Sequence, residues 1–256
     1  MSFFSLERVA QGYANCRPYF HPLVMQKIRQ YIGLEGKASN ALDVGCGSGL
    51  STLALKELAE QVAGIDNSQE MIAVAETVQD DSIAYYHSPA ENLPFDNELF
   101  DLITVCGALN WIDRTRFFPE AIRVLKEQGW LIVYDNSITE HMRENSEYTA
   151  WYQEQYLSRY PKPPRDERPL TQSECELCGL HFANSEQYTN EVALSLDEYI
   201  AFTLTQSNVI AATDMDSKKL AEAKKWMQAT LEPVIPGDKG TFLFRGYIWY
   251  LHRAVG

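Results

Sequence analysis

Positive charge is scarce in this chain of 256 residues: 22 Lys and Arg stand against 35 Asp and Glu, a formal net charge of -13. Such a field repels phosphate backbones and anionic lipid, so neither nucleic acid nor a membrane surface is an expected partner. Long hydrophobic runs are lacking too, since none approaches the roughly 18 apolar residues of a membrane span. The N-terminus MSFFSLERVAQ has no basic stretch ahead of an apolar one, so a cytoplasmic location is expected. Cysteine is sparse and odd in number, five in all, with Cys16, Cys46 and Cys106 scattered singly. That fits free thiols in a reducing compartment better than a disulfide framework. No internal repeat or low-complexity tract is present.

What the chain does have, from residue 40 to about 135, is alternation. The strand-like runs ALDVG, VAGID, IAYYH, FDLITVCG and GWLIVYD are separated by the helical patterns SGLSTLALKELAE, SQEMIAVAETV and RFFPEAIRVLKEQ. Alternation of this kind predicts crossover units and a mostly parallel, doubly wound α/β sheet. Ser68 with Glu70 and Met71 opens one helix, and Gly129 after Lys126 is the expected stop of the helix that begins near Thr115.

The flanks differ. Residues 5–32 read as helical, interrupted by RPYFHP, and suggest an N-terminal lid. Residues 137–170 are polar and aromatic and end in the proline-rich YPKPPRDERPL, which suggests a cap insertion. Capping boxes at Thr171/Glu174 and Ser195/Glu198, a helix stop at Gly179, the strand HFANSEQYTNEV, the helix KKLAEAKKWMQATL and the strand TFLFRGYIWYLHRA complete the chain. The division expected is a single domain: lid 1–32, core 40–135, cap about 137–170, and closing strands and helices 171–256.

The decisive stretch is ALDVGCGSGL, where an apolar run meets Asp43 and then Gly45, Gly47 and Gly49. A glycine-rich turn between a first strand and a first helix lets a nucleotide approach bare backbone. A dinucleotide fingerprint starting at Gly45 needs its third glycine at Leu50, and a phosphate loop needs Lys-Ser or Lys-Thr after the last glycine; neither is present. Asp43, placed before the first glycine, suits a cationic ligand better than a pyrophosphate.

With these residues the chain resembles the class I S-adenosylmethionine-dependent methyltransferases, whose first motif has the form LDVGCGSG. The resemblance extends to Asp66, 17 residues past Gly49, where the family holds ribose hydroxyls, and to SPAENLPFDNELFDLITV, whose first residues border the adenine. It implies a Rossmann-like, seven-stranded, mostly parallel sheet with a helical lid and cap. It implies a cofactor, S-adenosylmethionine, leaving as S-adenosylhomocysteine. The implied cofactor residues are Tyr13, Arg17, Asp43, Gly45, Cys46, Gly47, Gly49, Asp66, Asn67, Met71, Ser88, Ala90, Glu91 and Cys106. YANCRPYFHP and GALNWID are similar to segments of the small-molecule branch that includes the trans-aconitate and biotin-synthesis methyltransferases. By that likeness Tyr13 and Arg17 close over the cofactor, and Gly107 to Trp111 run between cofactor and acceptor.

The branch often has His where this chain has Asn110, and an amide can orient a substrate but takes no proton. Asn110 either does that or caps the next helix. His21 and His87 are the candidate bases; His21, Asn110 and Trp111 are the candidate acceptor-site residues, and no catalytic residue is assigned. Arg114, Arg116 and Arg245 are candidates for pairing with an acceptor carboxylate, or are plain surface charges. Tyr148, Trp151, Tyr152, Tyr156 and Tyr160 either line an apolar pocket or pack the cap. Cys175, Cys178 and His181 in CELCGLH have soft-ligand spacing but supply only three ligands, so no metal is expected. The expected activity is methyl transfer to a small molecule at a carboxylate or other oxygen. Two alternatives remain: C-methylation of a quinone-like or polyketide-like ring, and a regulatory module that binds the cofactor without turnover.

Overall fold

The computed structural model describes residues 6–213, 216–235 and 237–254. Residues 1–5 of the expected lid, and the last two residues of the closing segment, lie outside them. In chain order the elements are α1 (Glu7–Cys16), α2 (His21–Ile32), β1 (Ala38–Val44), α3 (Leu50–Leu55), β2 (Ala59–Asp66), α4 (Gln69–Ala75), β3 (Ile83–His87), β4 (Phe100–Cys106), a short 3₁₀ turn (Leu109–Trp111), α5 (Arg114–Val124) and β5 (Leu125–Met142). There follow α6 (Glu147–Ala150), a π-helical turn (Trp151–Tyr156), α7 (Leu157–Arg159), α8 (Gln172–Leu177), β6 (Leu180–Leu194), α9 (Leu196–Thr203), α10 (Ser207–Thr213), α11 (Ser217–Leu231) and β7 (Gly240–Arg253).

The strands form one seven-stranded sheet in the order β3-β2-β1-β4-β5-β7-β6. β1 pairs in parallel with β2 and β4, β2 with β3, and β4 with β5. Ala41 to Val44 are all buried, as expected of a central strand covered on both faces. This is the doubly wound, mostly parallel α/β sheet that the alternation predicts.

The chain separates into two units, dividing inside β5, β6 and β7. The first comprises Met1–Pro18, Asn136–Pro164 and Tyr188–Gly246; the second comprises Tyr19–Asp135, Arg165–Gln187 and Tyr247–Gly256. In the second unit Leu42, Val44, Ile103 and Val105 of β1 and β4 pack with Phe117, Phe118 and Ala121 of α5. In the first, the cap aromatics Tyr148, Trp151, Tyr156 and Tyr160 form a core with Tyr199, Phe242 and Phe244. Tyr148 and Trp151 are fully buried and the hydroxyls of Tyr148 and Tyr199 bond at 2.8 Å. Of the two readings of these aromatics, packing is the one the structure adopts for this group.

Several boundaries correct the sequence reading. The expected lid is not one body, because α1 belongs to the first unit and α2 to the second. The helix after the glycine turn ends at Leu55, where the Leu58 N–H donates to the Leu55 carbonyl at 2.9 Å and turns the chain into β2. Gly129 stops no helix: α5 ends at Val124, and Gly129 lies within β5, where a β-carbon would come 2.6 Å from Leu125 Cδ1. The first residues assigned to the cap, 137–142, continue β5 as strand. The box at Ser195 closes in both directions, whereas Thr171 caps α8 while the Glu174 carboxylate faces Arg114.

Candidate functional site

The turn after β1 holds three glycines with φ of +69° at Gly45, +52° at Gly47 and +89° at Gly49, a region costly for any residue with a β-carbon. Their surroundings differ. A β-carbon on Gly45 would lie 2.4 Å from that of Ala108, and one on Gly49 would lie 2.5 Å from the Tyr85 hydroxyl. One on Gly47 would meet nothing nearer than Met71 Sδ at 3.9 Å. Gly45 and Gly49 are therefore required by the protein's own packing, and Gly47 alone leaves backbone uncovered, with Met71 beside it. The turn is tied to β2 through the Cys46 N–H, which donates to the Ile65 carbonyl at 2.9 Å. The Cys46 side chain is buried, and burial pushes its thiol pKa up, so it contributes shape and no thiolate.

Two acids end adjacent strands and behave differently. Asp43 is fully buried; it accepts from Ser51 Oγ at 2.6 Å, Thr52 Oγ1 at 2.8 Å and Thr104 Oγ1 at 3.0 Å. Burial pushes its pKa up to about 6 against the opposing pull of those three hydroxyls. This corrects the sequence reading: Asp43 organises the turn from beneath and does not face a ligand. Asp66 is half-buried and accepts the Gly47 N–H at 2.9 Å on one oxygen and the Ser68 N–H at 2.8 Å on the other. Burial raises its pKa while the backbone donors oppose the rise. A carboxylate oxygen has two lone pairs, so each oxygen keeps acceptor capacity for a diol hydroxyl. Gly47 uncovered beside Asp66 is what a nucleoside requires of these residues, and in this respect they fit one.

After β3, the Ser88 N–H donates to the Asp66 backbone carbonyl at 3.0 Å, which ties Ser88 to the end of β2. Ser88 and Ala90 are buried, and Glu91 Oε1 accepts the Asp113 N–H at 2.8 Å. Asn67 is exposed, its carbonyl 3.3 Å from His87 Nε2. His87 itself is exposed at the end of β3.

At the end of β4, Cys106 is followed by Gly107 at φ +61°, where a β-carbon would come 3.2 Å from an Asp135 oxygen. The 3₁₀ turn then presents Asn110 and Trp111. Asn110 does not cap α5; Asp113 does, accepting the Thr115 N–H at 3.0 Å. Instead, Asn110 Oδ1 is buried and has no hydrogen-bond partner, an acceptor that a ligand donor would satisfy.

A strap from residues 165–175, missed in the sequence reading, lies on this turn. The Asp166 N–H donates to the Asn110 carbonyl at 3.2 Å, and the Arg165 guanidinium lies 5.9 Å from the centre of the Trp111 ring. Arg114 is 5% exposed and holds the strap: Nη2 donates to the Arg168 carbonyl at 2.8 Å, with Asp166 at 3.6 Å and Glu174 at 3.5 Å. Arg114 is thus buried and clamps the strap through Nη2, while its Nε and Nη1 are buried without a hydrogen-bond partner; Arg116 and Arg245 are exposed on α5 and β7. Tyr247 is also near: burial pushes its pKa up, as do Asp135 and Cys106, against Arg114 and Arg165. The only sequence signal for Arg165 was a cation inside a proline-rich loop.

His21 sits at the start of α2, buried, with Nδ1 3.2 Å from the Tyr134 hydroxyl and its ring stacked on Phe20. Burial lowers its pKa to about 4, so it is neutral at pH 7 and a weak base. Tyr13 and Arg17 lie in the first unit, the guanidinium 4.1 Å from the centre of the Tyr13 ring. Cys175 is buried and Cys178 half-buried, both as free thiols. Among the described residues no group of three His, Cys, Asp or Glu is arranged to hold a metal ion, and no helix is long and apolar enough to cross a membrane.

Residues 42–133 match the family described as the methyltransferase domain. A demethylmenaquinone methyltransferase of Staphylococcus epidermidis is 38% identical over 107 residues, 40% of this chain and 44% of that one. The chain spans about half the length of the curated relatives it matches. Among solved structures, a presumed type II methyltransferase from Anaeromyxobacter dehalogenans superposes with a TM-score of 0.63 at 19% identity, over 89% of this chain and 95% of that one. The phosphoethanolamine N-methyltransferase 2 of Haemonchus contortus, solved with phosphomonomethylethanolamine and S-adenosylhomocysteine, gives 0.59 at 17% identity, over 100% of this chain and 61% of that one. These structural likenesses concern the fold.

Proposed function

We propose that this chain, whose residues 42–133 match the methyltransferase domain family and whose seven strands form a mostly parallel sheet, transfers the methyl group of S-adenosylmethionine to a small molecule. The observation that carries the reading is the uncovered Gly47 backbone beside the Asp66 carboxylate, which keeps lone pairs for two ribose hydroxyls. When bound, the cofactor supplies a methyl group made electrophilic by a sulfonium. Gly45, Cys46, Gly47 and Gly49 would border its methionine part, Asp66 and Asn67 the ribose, Met71, Ser88, Ala90 and Glu91 the adenine, and Cys106 the side toward the acceptor.

The acceptor atom we propose is a carboxylate or other oxygen that needs no strong base. His21 is neutral and buried, and Asn110 takes no proton. A carboxylate is already ionised at pH 7, so holding it in line is the work that remains, and positioning alone supplies about 7 to 11 kcal/mol. Arg165, beside Trp111, is the cation of the second unit placed to hold such a group.

A second reading, C-methylation of a quinone-like ring, draws on the likeness to the demethylmenaquinone enzyme. It calls for an apolar ring acceptor, so the two readings separate in a screen of small carboxylic acids against quinols with labelled cofactor. The first test is calorimetric titration with S-adenosylmethionine, S-adenosylhomocysteine and NAD. Binding of the sulfur compounds and not of NAD is expected; no binding of either sulfur compound overturns the reading.

A further inference from the structure

The first five residues of the strap, 165–169, are held by polar contacts. None of them is buried, whereas the next residue, Leu170, is 6% exposed and belongs to the core of the second unit. They are tied down by the Asp166 N–H, which donates to the Asn110 carbonyl at 3.2 Å, and by Arg114 Nη2, which donates to the Arg168 carbonyl at 2.8 Å. Their charges pair with one another: the Arg168 guanidinium donates to Asp166 at 2.7 and 2.8 Å, and Arg165 Nε donates to Glu167 at 2.7 Å. Those pairs stay intact if the segment moves as a piece. A segment with so little apolar anchorage lies at the low end of local stability. Pro163 and Pro164 precede it and Pro169 ends it, and their fixed φ confines bending to few bonds.

The groups that the segment touches are underused. Arg114 Nε and Nη1 and Asn110 Oδ1 are all buried without a hydrogen-bond partner. The Asp166 and Glu174 carboxylates stand 3.6 and 3.5 Å from Arg114, close enough for ion pairing and too far for a good hydrogen bond. Buried polar groups left in this condition favour an arrangement that lets water or a ligand reach them. Lifting the segment therefore forfeits little apolar contact and relieves polar atoms beneath it.

We propose that residues 165–169 are a cover over the turn carrying Asn110 and Trp111, latched by Arg114, and that lifting the cover opens the way to that turn. The movement breaks the bonds at the Asp166 N–H and the Arg168 carbonyl, and it carries Arg165 away from Trp111. It takes Asp166 from Arg114 while Glu174, on α8, stays to balance the guanidinium. That the cover admits a methyl acceptor rests on the methyltransferase reading; the movement itself does not.

The experiment follows, by NMR on the full chain without cofactor or acceptor, the solvent exchange of two protons: the backbone N–H at position 166 and the side-chain Nε–H of Arg114. The second is protected by burial and by no hydrogen bond, so its exchange reports uncovering. Asp166→Asn keeps the N–H and the size of the side chain but loses the charge that faces Arg114 and Arg168. Corrected for intrinsic rates, it should speed both protons by one common factor of about ten, with the amides of Phe117 to Val124 in α5 unchanged. Arg114→Lys, read at position 166 alone, should speed that proton too; if it does not fold, Asp166→Asn still decides, because Asp166 lies outside the core. Glu167→Gln removes the pairing with Arg165 and leaves the latch, so both protons should keep their wild-type rates. Unequal factors for the two protons in Asp166→Asn, no acceleration of either, an equal acceleration in Glu167→Gln, or an acceleration that extends through α5 each overturn the cover. No ligand enters the measurement, so coupled exchange in a protein that fails to bind S-adenosylhomocysteine would remove the methyl acceptor from the argument and leave the cover standing.

Discussion

The turn after β1 and the turn after β4 end neighbouring parallel strands, yet they are built on opposite plans. In the first, the carboxylates of Asp43 and Asp66 are partnered within the protein, by hydroxyls in one case and backbone N–H groups in the other, and the one orphan among the described residues there is the Tyr85 hydroxyl packed against Gly49. In the second, Asn110 Oδ1 is buried and unpartnered, and the turn is held from outside by a strap anchored on Arg114. A turn finished by its own neighbours accepts one ligand geometry. A turn completed from a distance can change acceptor by changing the strap. On the function proposed above, the difference would separate the part of the site that fixes the cofactor from the part that selects what is methylated.

The largest effect expected from this contrast is at Asp66. Asp66→Ala removes the acceptor proposed for two ribose hydroxyls and frees the Gly47 N–H. The affinity for S-adenosylhomocysteine should fall about a hundredfold, a few kcal/mol for charged hydrogen bonds. Calorimetry reads this directly, and an unchanged Kd would break the assignment of the cofactor to this turn.

Next comes Asp43, whose loss should act on stability rather than recognition. Asp43→Ala leaves the hydroxyls of Ser51, Thr52 and Thr104 buried without their acceptor, at about 1 to 3 kcal/mol for each group that finds no other partner. Its pH dependence has a definite sign. The folded pKa, about 6, lies above the unfolded value, so the folded state holds the extra proton between them. Stability from this group is therefore full below about pH 4 and declines as pH rises toward 6, to a level constant above it. Asp43→Asn, which carries no titrating group, should flatten that decline in urea titrations across this range. A decline of the same slope in the variant would assign it to another group.

The two glycines sharpen the comparison within the turn itself. Gly45→Ala must push against Ala108, whose β-carbon is 2.4 Å from the new one, besides adopting φ +69°. Gly47→Ala has open space and suffers only the left-handed backbone, at about 1 kcal/mol. Thermal unfolding should therefore rank Gly45→Ala well below Gly47→Ala. Cofactor titration should nevertheless show weaker binding to the folded Gly47→Ala protein, whose new methyl group covers the bare backbone.

Much of this contrast was legible in the amino-acid string, and for a physical reason. The glycine turn and Asp66 are local: their spacing is set by strand, turn and helix within some 25 residues, so alternation and glycine positions show where they are. Even there, spacing does not encode burial: Asp43 stands before the first glycine as a ligand-facing acid would, but its carboxylate faces three hydroxyls. The second turn depends on contacts between residues far apart in sequence, such as Arg114 with Glu174 and Asn110 with Asp166. Such contacts leave no mark on periodicity, so in the sequence Arg114 reads as an uncommitted cation and Arg165 as one charge in a proline-rich loop. Gly129 failed for the converse reason, since a glycine after a lysine is a good helix stop only where the helix has not already ended.

The smallest effect should come from the strap. Arg165→Ala removes the guanidinium beside Trp111 but leaves the Arg114 clamp, the Asp166–Asn110 bond and the whole first turn in place. Because the Arg165 side chain is partly exposed and also paired with Glu167, its contribution to an anionic acceptor is screened. The expected change is therefore about tenfold at most in KM. Neither the Kd for S-adenosylhomocysteine nor the melting temperature should move. A fall in cofactor affinity of the same size would mean that the strap serves both ligands, and the separation between a cofactor turn and an acceptor turn would have to be given up.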